Sequence, residues 1–124
     1  MLALWSVPTA DPSLAGYATH YATGLMQTVA DNRGMSLDGY AGGVALNRCG
    51  DLGRRVWLRW EDGTVTGPLR VVDCAQRGHI LDRERRRYVV EVDASLARRR
   101  GFFGIGPMPV VVLFEPPVSA PVAV

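Results

Sequence analysis

Six short stretches rich in Val, Leu, Tyr, Trp and Phe recur along the chain, and glycine, aspartate or asparagine separates each from the next. Strand-forming runs punctuated at such short intervals favour an all-β barrel or sandwich over alternating strands and helices. The predicted strands are Tyr17 to Thr23, Gly43 to Asn47, Arg54 to Trp60, Gly67 to Asp73, Tyr88 to Val92 and Pro109 to Phe114. In the third, apolar residues fall at 56, 58 and 60 with Trp57 and Arg59 between them, the period of a half-buried strand. Glu61-Asp62-Gly63-Thr64 places a glycine where a tight turn needs positive φ, so the third and fourth strands are expected to form a hairpin. One short helix is expected from Ala94 to Arg100, with Asp93 as its N-cap and Gly101 just past its end.

A chain of 124 residues, 48% apolar and 21% charged, has room for one hydrophobic core. One domain is therefore expected, with residues 1–15 as an N-terminal extension, 16–115 as the barrel and 116–124 as a Pro-rich tail. The apolar run Val110 to Phe114 is far too short to cross a bilayer as a helix, so no membrane span is expected. Met1 to Ala10 lacks the basic start and long apolar stretch of a complete secretory signal. The net charge of +2 is too small for bulk attraction to nucleic acid. Arg83-Glu84-Arg85-Arg86-Arg87 has an acid inside it and no interleaved aromatic, which reads as a solvated loop.

Asp73 closes the apolar run Leu69 to Val72 and precedes a polar, glycine-bearing turn. It either caps that turn or projects into a groove, where a general acid could be built. Glu91 interrupts a valine-rich strand, so its charge needs solvent or a partner. If the fourth and fifth strands lie side by side, Asp73 and Glu91 could form the carboxylate pair that glycoside chemistry uses. His20 and His79 do not combine with Cys49 and Cys74 in any zinc-ligand spacing, and no metal or other cofactor is expected. There is no Gly-x-Ser-x-Gly elbow, nor a cysteine in a nucleophile's setting. By count alone, the two cysteines fit one disulfide or two buried thiols.

Several segments resemble the rare lipoprotein A-like family, related to expansins, barwin-type domains and family 45 endoglucanases. Gly16-Tyr17-Ala18-Thr19-His20-Tyr21 is similar to that family's first strand. Val44-Ala45-Leu46-Asn47 and Leu52-Gly53-Arg54-Arg55-Val56 are similar to its second and third. Arg70-Val71-Val72-Asp73 with Arg77-Gly78 resembles the strand and turn bearing its characteristic aspartate, with Cys74 in place of the usual arginine. Val90-Glu91-Val92-Asp93 with the following helix, and Gly106-Pro107-Met108-Pro109-Val110, complete a match that runs nearly end to end.

The resemblance implies a six-stranded double-psi β-barrel with one short helix. Its groove would take strands of β-linked cell-wall glycan, peptidoglycan in bacterial members. Asp73 would hold the catalytic position, Glu91 the second acidic one, and Tyr21 and Asn47 would meet the glycan. Asn47 stands where glycan-cleaving members carry histidine, which ranks binding above lytic transglycosylase or hydrolase activity. Cys74 beside the aspartate, with Cys49 at the end of the second strand, suggests a bridge pinning the groove wall, contributing roughly 3 kcal/mol. The implied setting is secreted or cell-envelope. A structural or interaction domain of a virion or secreted assembly is the third reading.

Overall fold

The structure, a computed structural model, describes residues 12–117. Six strands, β1 (Leu14–His20), β2 (Gly43–Leu46), β3 (Arg55–Trp60), β4 (Val65–Cys74), β5 (Tyr88–Val92) and β6 (Met108–Leu113), close into one barrel in the order β1-β5-β2-β4-β3-β6. The β1–β5 and β2–β4 pairs are parallel and the other four antiparallel. All six predicted strands are present. The first starts three residues earlier than expected and ends at His20, so the barrel begins at Leu14, ahead of the expected boundary at residue 16. The turn after Trp60 joins β3 to β4 as an antiparallel pair. Within it, Asp62 Oδ1 accepts from the Thr64 amide at 3.0 Å.

Side chains that alternate along the strands fill the interior. Ala18, Val44, Leu46, Val56, Leu58, Leu69, Val71, Val90, Val92 and Val112 are all buried. Phe102 closes one side of this core, its ring 5.9 Å from that of Trp60. Trp60 buries its indole without losing a hydrogen bond, because Nε1 donates to Thr66 Oγ1 at 2.8 Å. Gly16 is required where β1 passes the end of the connection from α2 to β5. A Cβ there would lie 2.3 Å from the Arg87 carbonyl oxygen, which accepts from the Tyr17 amide at 2.8 Å.

The expectation of a single helix is corrected: among the described residues there are three, α1 (Leu25–Asn32), α2 (Ile80–Arg85) and α3 (Ala94–Arg99). Only α3 has the side-chain cap that marks a helix start in sequence, Asp93 Oδ2 accepting from the Ser95 amide at 3.1 Å. By contrast, α1 starts after Gly24 in the left-handed region and α2 after His79, neither with a side-chain cap bond. A second small cluster joins Met26 and Ala30 of α1 to Val72, on the outer face of β4. The Arg83 to Arg87 run is therefore not simply a solvated loop. Its first residues are helical, and the Arg83 side chain is only 11% exposed.

Cys49, in a 3-10 turn after β2, is bridged to Cys74 at the end of β4, with Cα atoms 5.0 Å apart. In the same turn Asp51 is buried, accepting from Arg48 Nε and Arg54 Nη1, each at 3.1 Å. No helix among the described residues is long and apolar enough to cross a membrane.

The bridge closes a loop of 25 residues, so replacing both cysteines by serine is expected to lower unfolding free energy by about 3 kcal/mol. Urea unfolding of the double variant checks this, and an unchanged midpoint would contradict it.

Candidate functional site

The two parallel strand pairs decide which side chains share a surface. Ala45 on β2 is the register partner of both Asp73 on β4 and Glu91 on β5. Glu91 is in turn paired with Thr19 on β1. A row of outward-facing residues thus crosses four strands: Thr19, Glu91, Ala45, Asp73. The side-by-side arrangement of the fourth and fifth strands does not occur, because β2 lies between them. The two carboxylate-bearing residues are two strand spacings apart, roughly 9–10 Å between Cα atoms, with a methyl side chain between them.

Asp73 joins this row because β4 is bulged. Val44 pairs with Val71 but Ala45 pairs with Asp73, so Val72 is an extra residue on β4. Regular alternation would point residue 73 to the same side as Val71, into the core. The extra residue re-aims it outward, as bulges do. Val72 itself packs under α1, and the C-cap of that helix, Arg33, reaches back to the groove.

The groove has a volume of about 470 Å³, and its lining includes Tyr21, Asp73, Gln76, His79, Arg83 and Glu91. Tyr21 follows β1 and extends its pairing with β5, the Tyr21 amide donating to the Val92 carbonyl at 2.9 Å. Its hydroxyl donates to Asp73 Oδ2 at 2.5 Å, and Arg33 Nη2 donates to Asp73 Oδ1 at 2.9 Å. Both oxygens of Asp73 therefore act as acceptors from donors of this chain. Burial, then the hydrogen bond to Asp73, pushes the Tyr21 phenol well above its ordinary value, so it stays a donor. Glu91 accepts from Arg83 Nη1 at 2.8 Å through Oε1. Arg83 Nε donates to Asn47 Oδ1 at 2.6 Å, and Asn47 Nδ2 donates to the Tyr88 carbonyl at 2.9 Å.

Of the residues expected at the site, Tyr21, Asp73 and Glu91 come together in one groove, and Cys74 lies on its wall. Asn47 stands behind Arg83, with its amide spent on holding that guanidinium. It lines a separate, more apolar hollow of about 330 Å³ with Leu14, Leu46, Tyr88 and Val89. Arg33, which pairs with Asp73, and Arg83 were not expected at the site. The apolar spacing at 25, 26, 29 and 30 is a signal that could have placed the helix ending at Arg33. Among the described residues, no group of three or more His, Cys, Asp or Glu is arranged to hold a metal ion. The sequence matches no protein-family model and no curated protein.

Burial raises the Glu91 carboxyl above its ordinary value, and this outweighs the opposing charge of Arg83. The folded chain therefore holds this proton more tightly than the unfolded one. The associated stability is complete below the ordinary value of 4.5 and is lost as pH rises through the raised one. Glu91→Gln, which cannot titrate, is expected to flatten the decline in urea stability from about pH 4 to pH 7. Equal slopes for the two proteins would contradict it. Tyr21→Phe removes a hydrogen bond to a charged acceptor and is expected to cost about 1.5 kcal/mol, read from the same unfolding curves.

Proposed function

We propose that this groove binds a β-linked cell-wall polysaccharide of the peptidoglycan type and holds it without cleaving it. The observation that carries the reading is the state of Asp73, whose two oxygens are both committed to accepting, from Tyr21 and from Arg33. With each oxygen already engaged by a donor of this chain, neither is free to address the oxygen of a leaving group, which a glycosidase acid must do. It still fixes Tyr21 and Arg33 in the groove wall, where an aromatic ring and charged donors suit sugar rings and hydroxyls. The two parallel pairings, β1 with β5 and β2 with β4, support the double-psi arrangement that the family resemblance implies. The disulfide is compatible with an extracellular or envelope setting.

A second reading keeps the same residues but assigns cleavage, with Asp73 released from Arg33 to act as the acid. It draws on Glu91, which burial holds partly toward its protonated form. The third reading, an interaction domain of a virion or secreted assembly, needs no groove chemistry.

Co-sedimentation with insoluble peptidoglycan, followed by mass spectrometry of the supernatant, tests the proposal. The protein is expected to pellet with the glycan, Tyr21→Ala with Asp73→Ala to stay in solution, and no anhydro-sugar or new reducing end to appear. Product that Asp73→Asn abolishes would establish cleavage instead. Ordered oligomers with no glycan affinity would favour the assembly reading.

A further inference from the structure

Arg33, Arg48, Arg54, Arg83, Arg86 and Arg100 each pair with a carboxylate of this chain. Arg55, Arg59 and Arg70 make no ion pair among the described residues, and the fold places them on one surface. Arg55 on β3 is the register partner of Arg70 on β4, so two cations stand directly opposite each other on adjacent strands, an arrangement that costs stability. Arg59 lies on the same outward side of β3 as Arg55, with Trp57 between them. The flanking strands bring no acid to this surface: β6 has none, and β4 has none before Asp73. Asp38, in the loop before Tyr40, and Glu61, in the turn after β3, lie at its margins, and neither pairs with the three arginines.

Two aromatic side chains accompany these cations. The central carbons of Arg55 and Arg70 each lie 5.8 Å from the centre of the Tyr40 ring, which partly offsets their mutual repulsion. Arg70 is fixed further by the Ser36 carbonyl, which accepts from Nη1 at 2.9 Å. Trp57 packs its indole against Gly67 of β4, where a Cβ would lie 2.6 Å from Cδ1 and 2.9 Å from Cγ. The glycine thus lets the ring lie close to the sheet while the residue stays only half-buried. A flat ring held in this way can stack on the apolar face of a sugar. A guanidinium fork on either side of it meets a carboxylate or sulfate with two parallel hydrogen bonds.

Around the closed barrel β3 stands three strands from β5 in either direction, so this surface is separate from the groove, where Arg33 and Arg83 already answer acids. We infer that the outer face of β3 is a second binding surface, for an acidic polysaccharide. Trp57 stacks on a sugar ring, and Arg55, Arg59 and Arg70 engage the anionic groups carried on either side of it. A single-stranded nucleic acid offers similar charge, but it stacks successive bases on successive rings. Here Tyr40 is already flanked by two guanidiniums, which leaves Trp57 as the platform. What the groove binds does not bear on this second surface.

Calorimetric titration with a chondroitin sulfate octasaccharide, and with the same oligomer desulfated and carboxyl-reduced, tests the inference. The acidic oligomer is expected to bind, more weakly as salt is raised, and the neutral one to bind about tenfold less tightly or worse. Arg55→Gln combined with Arg59→Gln is expected to cost about tenfold in affinity for the acidic oligomer. The urea midpoint of that variant is expected not to fall, because Arg55 no longer opposes Arg70. Trp57→Leu keeps an apolar cover on Gly67 without the flat ring and is expected to weaken binding as well. Tyr21→Ala with Asp73→Ala, in the groove, is expected to leave this affinity unchanged. Binding of neither oligomer, equal affinity for both, or full affinity in the folded arginine double variant would overturn the inference and leave the groove reading standing. Tighter binding of a thymidine oligonucleotide of matched charge would overturn the assignment to polysaccharide. Binding lost in the groove variant alone would place the acidic oligomer in the groove and overturn the second surface.

Discussion

The parallel pairing of β2 with β4 carries one residue too many on β4, and much of the site depends on where that residue, Val72, goes. Between Val71, which faces the core, and Asp73, which faces the groove, the backbone accommodates an extra side chain that also points outward. Two consequences follow from the same displacement. Asp73 leaves the core, where an unpaired carboxylate would be very costly. Val72 supplies the apolar surface against which Met26 and Ala30 of α1 pack, and α1 ends at the arginine that answers Asp73. Backbone irregularity, helix docking and charge pairing are thus one linked arrangement.

A related irregularity occurs in the other parallel pair. Tyr17 is opposite Tyr88 and Ala18 opposite Val90, which leaves Val89 as the extra residue on β5. Two residues later stands Glu91, facing the groove. Each parallel pair thus carries one bulge close before an acidic residue, and β2, with only Ala45 at the matching level, separates the two acids. The acids nevertheless differ in surroundings. Both oxygens of Asp73 meet donors, while Glu91 meets Arg83 through one and is partly desolvated. This asymmetry leaves Glu91 as the acid of the two whose carboxyl burial raises above its ordinary value.

The strands and the β3–β4 turn were legible because alternating burial leaves a period-two pattern and tight turns demand glycine and aspartate. Helix α3 was legible through its Asp93 cap. Helix α1 was not, because Gly24 opens it without a side-chain acceptor and its apolar face is only four residues wide, covering a single valine on β4. Arg83 was misread for a related reason. In sequence it belongs to a run of basic residues, and only the fold turns it away from its neighbours toward Glu91 and Asn47. Asp73 and Glu91 stood out as a strand end and an isolated charge in an apolar run, and Tyr21 entered only through the family resemblance. Their partners come from other elements, 52 residues away for Tyr21 and 40 for Arg33 relative to Asp73, and no local pattern encodes such distances.

Two bulges and three arginines that each answer an acid assemble the groove for which glycan binding is proposed. The most direct measurement is an amide chemical-shift titration of the isotope-labelled protein with soluble β-linked glycan. The account predicts saturable shifts centred on Tyr21, Asp73, Gln76, Arg83 and Glu91, with the glycan spectrum unchanged over the experiment. Shifts confined to the opposite face of the barrel, none at all, or a glycan spectrum that evolves toward cleaved products would contradict it.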